Sequence, residues 1–451
     1  MPSLPKPNLS TPSFNLSRPS LKLSKPSLNL SLGRRSGGTV VGLDIQPGHV
    51  AAVQAHLNGA VVAERAVALP LPADTVREGE VLDEGALSDT LRELFSDGKL
   101  SKRVRVGVAN QRTVLRTLEL PPISDHKELD AAVRFQAQEQ VPMPLDNAVM
   151  DFHPLGVHDT PDGSRQQVVL VAAQRDMVTR LLAAVRNAGL RPEGIDLSAF
   201  ALIRSLYRHD DEHDGRVLYL NVDGLTNMAI AEGSICRFTR VVGGGFEAMA
   251  SQLAERLSVP VADARGMIAA ADLTSAVSAP PEPTTRDLAA PAPVERQDSG
   301  SESEHSSEVD TDSDPESSAT PYSKALEDGQ TASQSFAAIA ELPDPGISGR
   351  GTPPDVDVRI VLENGIREIA GEVRNSLDFH RSQEGGGEVS LVVLSGAALD
   401  VPGFADALQA ELGVSVTRET IGVTDGALAG TTLSPQRLAI AAGLAVEEAP
   451  R

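Results

Sequence analysis

One pattern occurs twice in this chain and constrains its fold more than any other feature. Residues 39–71 alternate apolar and polar side chains, first as TVVGLD and then as HVAAVQAHLNGAVVAERAVALP. This reads as a strand followed by two more around an Asn58-Gly59 turn. A helix comes next, EGALSDTLRELFSDG (84–98), with apolar residues at helical spacing and a stop at Asp97-Gly98. From Val217 the strand, turn, strand, turn, strand order returns in VLYLNVDGLTNMAIAEGSICRFTRVVGGG, and a helix again follows, FEAMASQLAERLSV. At 451 residues the chain exceeds what one core usually serves. Two lobes, each opening on a β-meander, are the expectation. With no Trp, their cores must be packed from small aliphatic side chains.

Residues 113–198 separate the two meanders and read as a unit of their own. TVLRTLELP is a strand, and SDHKELDAAVRFQAQEQV is a helix capped by Ser124 or Asp125. NAVMDFHPLGV and RQQVVLVAAQ form strands around Asp162-Gly163, RDMVTRLLAAVRNAG is a helix ending at Gly189, and PEGIDLS closes as a strand. The order is βαββαβ. Downstream, LSAFALIRSLYR (197–208) is helical, residues 358–383 form a long amphipathic helix, and EVSLVVLSGAAL is a buried strand running into a Gly-bearing loop. Helices FADALQAELG and PQRLAIAAGLAV finish the pattern. The expected domains are thus a first lobe at 39–112, an inserted unit at 113–198, and a second lobe at 199–271 and 355–446 that returns to the first.

Two tracts interrupt these cores. Residues 1–38 contain no Asp or Glu and repeat a heptad, TPSFNLS, RPSLKLS and KPSLNLS, whose prolines break helix. This basic tail is expected to be disordered, and so is the acidic stretch 272–354 around SGSESEHSSEVDTDSDPESS, whose composition cannot offset the entropy of ordering. Asp310, Asp312 and Asp314 open like a calcium loop, but Pro315 and Glu316 follow where the turn glycine belongs. A net charge of −22 argues against nucleic acid as a partner. Cys236 is the single cysteine, which excludes an internal disulfide and fits a reducing compartment; its strand setting makes it a core residue. No run reaches the ~18 consecutive apolar residues of a membrane helix. The expected location is the cytoplasm.

The segment LELPPISDHKELDAAVRFQAQEQVPMPLDNAVMDFHPLG (118–156) resembles the signature of the PilM family, actin-like cytoplasmic proteins of type IV pilus assembly related to the division protein FtsA. The matching residues are Leu120, Pro121, Phe135, Gln138, Pro142, Pro144, Leu145, Asp151 and Phe152. This resemblance implies a two-lobed α/β fold of the actin type with 113–198 as its inserted subdomain. It also implies a scaffold at the inner face of the cell membrane that holds the cytoplasmic N-terminal segment of PilN, a bitopic inner-membrane protein, alongside other pilus assembly components. Arg134, Phe135, Gln138 and Pro142 are then the candidate lining of a groove between the inserted unit and the first lobe.

The actin-type fold also implies a nucleotide cleft, with ATP and magnesium as cofactors. Its hairpin amides cradle phosphates, and an Asp near the first turn holds the hydrated metal. The candidates are Asp44, Gln46, Gly48 and His49 at the first turn, with Asp44 as the metal residue. Asn221, Asp223, Gly224 and Thr226 stand at the second turn, followed by Gly243 and Gly244, and Ser395 and Gly396 at the third loop. All three loops depart from the family pattern. The first has Gln46, Pro47, Gly48, His49 and Ala51 where small hydroxyl residues and a Lys are usual, the second has Asn221-Val222-Asp223, and the third has Ala397 in place of a Gly. Pro47 donates no amide. Each lost charge-assisted contact costs about 1.5–3 kcal/mol, so a weak site with slow hydrolysis at most is expected. His49 is expected to face solvent. A division-type filament protein related to FtsA is the alternative reading; a sugar-kinase reading finds no convincing catalytic base.

Overall fold

The computed structural model describes residues 39–161, 163–208, 215–274, 354–383 and 385–449. The basic tail, the body of the acidic stretch and the calcium-like aspartates lie outside the described residues. The first meander comprises β1 (Val41–Gln46), β2 (His49–Asn58) and β3 (Ala60–Pro70). Its turns are built on Gly48 and Gly59, whose φ values of 89° and 67° suit residues without a Cβ. A short ribbon of β4 (Val76–Arg77) and β5 (Glu80–Val81) leads to α1 (Glu84–Leu94), whose Asp83 cap accepts from the Ala86 N–H at 2.9 Å. Strand β6 (Arg103–Val108) then runs parallel to β1.

The inserted segment supplies β7 (Val114–Leu120), α2 (His126–Gln140), β8 (Ala148–Thr160) and β9 (Gly163–Gln174). Asp125 caps α2, accepting from the Lys127 and Glu128 amides at 2.9 and 3.0 Å. The strands make a three-stranded sheet in the order β7-β9-β8, and α2 seats Leu129, Val133 and Ala137 against Leu118, Val168 and Leu170. Helix α3 (Arg175–Asn187) and β10 (Arg191–Leu197) depart from the sequence reading. They leave this sheet and join the first lobe. β10 pairs parallel with β6, and α3 buries Met177, Leu181 and Val185 in a cluster with Leu87 and Leu91 of α1. The reason is topological: a parallel strand must return through a crossover helix, which α3 provides. The unit with its own sheet is therefore βαββ.

Helix α4 (Ser198–Leu206) leads into the second meander, β11 (Arg216–Val222), β12 (Thr226–Glu232) and β13 (Ile235–Val242). Then come α5 (Phe246–Leu257), α6 (Val261–Ala269), α7 (Pro354–Ser382), β14 (Val389–Ser395), α8 (Phe404–Leu412), β15 (Ser415–Arg418), β16 (Gly422–Val423) and α9 (Ala439–Ala445). The first lobe's sheet has the order β10-β6-β1-β2-β3-β16, and the second lobe's has β13-β12-β11-β14-β15.

Helices α4 and α9 share one core with both sheets. Leu202, Ile203, Ile440 and Leu444 pack with Ala51 and Val53 of one sheet and Tyr219, Ala229 and Val393 of the other. Cys236 is buried in this core, as its strand position predicts. The contact of α9 is backbone against backbone. A Cβ on Gly42 would overlap the Ala441 carbonyl, and one on Gly443 would overlap that of Ala201. Arg105 completes the anchor, donating to the Leu444 and Val446 carbonyls at 2.9 Å each and so capping the C-terminal end of α9. The last helix thereby ties the end of the chain to β1, between the two lobes.

Candidate functional site

Both meanders direct their first turns at each other across the gap between the lobes. The two turns touch. A Cβ on Gly224 would lie 2.5 Å from the Pro47 carbonyl oxygen, so only glycine allows this approach. Gln46 stitches the contact from the first lobe. Its Nε2 donates to both Asp44 oxygens at 3.1 and 3.2 Å, and its Oε1 accepts from the Leu225 N–H at 3.3 Å. Asp44 is 3% exposed, and burial pushes its carboxyl up to about 7 despite the Gln46 bonds.

The second turn carries the other buried carboxylate. Asp223 accepts from the Gly224 N–H at 2.9 Å and from Arg437 through two bonds, Nε to Oδ2 at 3.0 Å and Nη2 to Oδ1 at 2.8 Å. Burial alone would raise its pKa, but Arg437, His49 and the Gly224 amide together hold it below the usual carboxylate range. The same Arg437 Nη2 lies 3.3 Å from Nδ1 of His49. His49 is 6% exposed, contrary to the expectation of a solvent-facing turn residue. β2 begins at His49 and is covered by the second lobe, and burial pushes the imidazole down to about 4. It is neutral at pH 7.

The third loop meets the same segment. Ser395 Oγ and the Gly396 N–H both donate to the Gln436 carbonyl, at 2.9 and 3.0 Å, while the Gln436 side chain donates to Asp400 at 2.6 Å. A cavity of about 270 Å³ opens beside this junction, lined by Gly48, His49, Asp223, Gly224, Glu247 and Arg265 among others. Arg265 is already paired with Glu247, at 2.8 and 2.5 Å.

The structure thus brings together Asp44, Gln46, Gly48, His49, Asp223, Gly224, Ser395 and Gly396. Asn221 and Thr226 are buried in the strands flanking the second turn, and, like Asp44, Gln46, Ser395 and Gly396, they do not line the cavity itself. Gly243 and Gly244 stand outside it too; the glycine pressed on the turn is Gly245, where a Cβ would lie 2.5 Å from the Asp223 carbonyl. Arg437, Gln436, Asp400, Glu247 and Arg265 were not foreseen. The available signal was Arg437, the one cation in an otherwise apolar final segment, SPQRLAIAAGLAV. Among the described residues no group of three or more His, Cys, Asp or Glu is arranged to hold a metal ion.

A second cavity, of about 70 Å³, lies between Val108–Thr113 and the β12–β13 strands. Asn227, 1% exposed, has both side-chain amide atoms without a protein partner beside it. The space suits ordered water.

The candidate partner residues lie elsewhere. Helix α2 presents Arg134, Phe135 and Gln138 on its exposed side, and Pro142 follows them into solvent. Phe135 is 69% exposed, and Arg134 pairs with Asp130 of its own helix at 2.9 Å. Helix α2 turns its apolar face, Leu129, Val133 and Ala137, to its own sheet, which leaves these residues on the opposite side.

The family model of the type IV pilus assembly protein PilM matches residues 42–231. Over this segment the chain is similar to that family. The match runs from β1 through the whole inserted unit into β12. A solved structure, the PilM-PilN type IV pilus biogenesis complex, is similar at 18% identity and a TM-score of 0.60, covering 90% of this chain and 98% of that one. The shared architecture is the two-lobed actin-like fold. Also similar are the ethanolamine utilization protein EutJ from Carboxydothermus hydrogenoformans (14% identity, TM-score 0.43, 92% and 91% covered) and MreB 5 of Spiroplasma citri bound to AMPPNP (10%, 0.44, 90% and 95%). Among the described residues no helix is long and apolar enough to cross a membrane.

Proposed function

We propose that this chain is an actin-like scaffold of type IV pilus assembly, or of a related secretion system, working at the inner face of the cell membrane. The observation that carries this reading is the family match over 42–231, which takes in the inserted unit. The partner proposed is the cytoplasmic N-terminal segment of a PilN-like inner-membrane protein. Its docking surface is the outward side of α2 with Arg134, Phe135, Gln138 and Pro142. An aromatic ring left in water next to an arginine is the kind of anchor that partner interfaces use.

The lobe cleft serves this scaffold structurally. Asp44 bound to Gln46, Asp223 bound to Arg437, Pro47 without an amide and hairpins in direct contact are a poor fit to magnesium-ATP. All three loops that would cradle phosphates already have partners within the chain. No hydrolytic step is assigned to them.

Two measurements test the proposal. Crosslinking and affinity capture of the full chain from its own cells should recover a bitopic pilus-assembly protein in stoichiometric amount; recovery of division proteins instead would overturn the pilus reading. Calorimetry with magnesium-ATP should show no micromolar binding, and such binding would overturn the structural role of the cleft.

A further inference from the structure

The segment 434–438 lies between β16 in the first lobe's sheet and α9 in the shared core, and its Arg437 lines the cavity beside the cleft. Each of the three loops proposed for a nucleotide bonds instead to this segment. Ser395 Oγ and the Gly396 amide bind the Gln436 carbonyl at 2.9 and 3.0 Å. Asp400 accepts from the Gln436 side chain at 2.6 Å. Asp223 takes both prongs of the Arg437 guanidinium at 2.8 and 3.0 Å, and the same guanidinium lies 3.3 Å from His49 on the first turn.

We infer that residues 436–437 are an internal ligand of the lobe cleft, with the Arg437 guanidinium as its fixed cation, holding the two lobes closed without nucleotide. This rests on the structural reading of the cleft given above and adds its agent. The chemistry is specific. A planar guanidinium matches a carboxylate through two parallel bonds, which a hydrated metal ion or a lysine cannot reproduce. Asp223 is buried, so its charge needs a permanent partner; Arg437 supplies one that cannot dissociate. The closure is then independent of any soluble ligand, whereas a nucleotide-gated cleft opens when its ligand leaves. A neutral His49 suits this arrangement, since its Nδ1 lone pair faces the guanidinium instead of a second positive charge.

The test is an interlobe distance measurement on the full chain by pulsed spin resonance. Labels go on Asp89→Cys in α1 and Arg367→Cys in α7, both exposed, while the native Cys236 is buried. Without nucleotide the otherwise native protein should give one narrow distance, unchanged by magnesium-ATP. Arg437→Gln should broaden the distribution and shift it to longer distances, and Arg437→Lys should fall between. If Arg437→Gln does not fold, Asp223→Asn combined with Arg437→Gln removes both charges without orphaning either and is read the same way. A folded variant that keeps the native distance overturns the clasp. That outcome leaves the calorimetric result on native protein untouched, whereas tight magnesium-ATP binding by native protein that changes the distance overturns the structural reading of the cleft as well.

Discussion

The lobe cleft and the outer side of α2 treat their functional groups in opposite ways. In the cleft, Asp44, Asp223, Glu247 and Asp400 are each bound by a side chain of the same chain, through Gln46, Arg437, Arg265 and Gln436. On α2, Phe135 stays in water, 69% exposed, with no aromatic neighbour among the described residues. A site that satisfies its own groups gains stability and loses capacity for a soluble ligand. A site that leaves an aromatic ring unsatisfied has capacity for a partner and contributes little to the fold. The proposed function accordingly assigns partner binding to the inserted unit and closure to the contact between the lobes.

Removing Arg437 should break this contrast most severely. Arg437→Gln leaves Asp223 buried without its counter-ion, a loss of about 3–5 kcal/mol in urea unfolding; a loss below ~1 kcal/mol would mean that the pair is solvated and weak.

Asp44 should give the next largest effect, through pH. Its folded value of about 7 lies above the ordinary 3.8, so the folded chain binds the extra proton and stability falls as pH rises from about 4 to about 7. His49 acts in the other direction. With a folded value of about 4 against 6.5, it is the unfolded chain that takes the proton, and stability rises over that window. The two slopes oppose in the native protein. Asp44→Asn should expose the rising limb, and native stability relative to this variant should fall by up to about 1.4 kcal/mol per pH unit over Asp44's window. A pH-independent difference between the two would show that folding leaves the Asp44 pKa unchanged.

Gly224→Ala probes the hairpin contact directly. The added methyl must move the Pro47 carbonyl, a loss of about 1–3 kcal/mol in thermal or denaturant unfolding. An unchanged stability would show that the two turns part without cost.

Phe135→Ala should have the smallest effect on the fold, within about 0.5 kcal/mol. It should nevertheless weaken capture of the membrane partner by at least about tenfold. Unaltered capture would move the docking surface off α2.

Much of the local structure was legible in the residues. Asn58-Gly59 and Asp162-Gly163 both announce hairpins because a turn with positive φ needs Gly or Asn, and Asp125 caps α2 because a carboxylate can accept orphan amides at a helix start. The glycines of the second and third loops each mark a close backbone approach, Gly224 to the Pro47 carbonyl and Gly396 to that of Val222. The burial of His49 was not legible, because a turn residue is exposed in isolation and covered only when a second lobe arrives. The outward orientation of Phe135 was equally hidden: α2 has an apolar side wide enough for either orientation of that ring.

Sequence by itself determined what depends on near neighbours: the two meanders, the turns, the helix caps and the departures of the three loops from their family pattern. Tertiary structure alone decided the rest. It assigned α3 and β10 to the first lobe, since a parallel strand acquires its neighbour only through a crossover. It also brought Arg437 to Asp223 across 214 residues of chain. An ion pair at that separation leaves no periodicity to read, because its geometry is set by the packing of α9 on β1 and not by any local preference of the residues that form it.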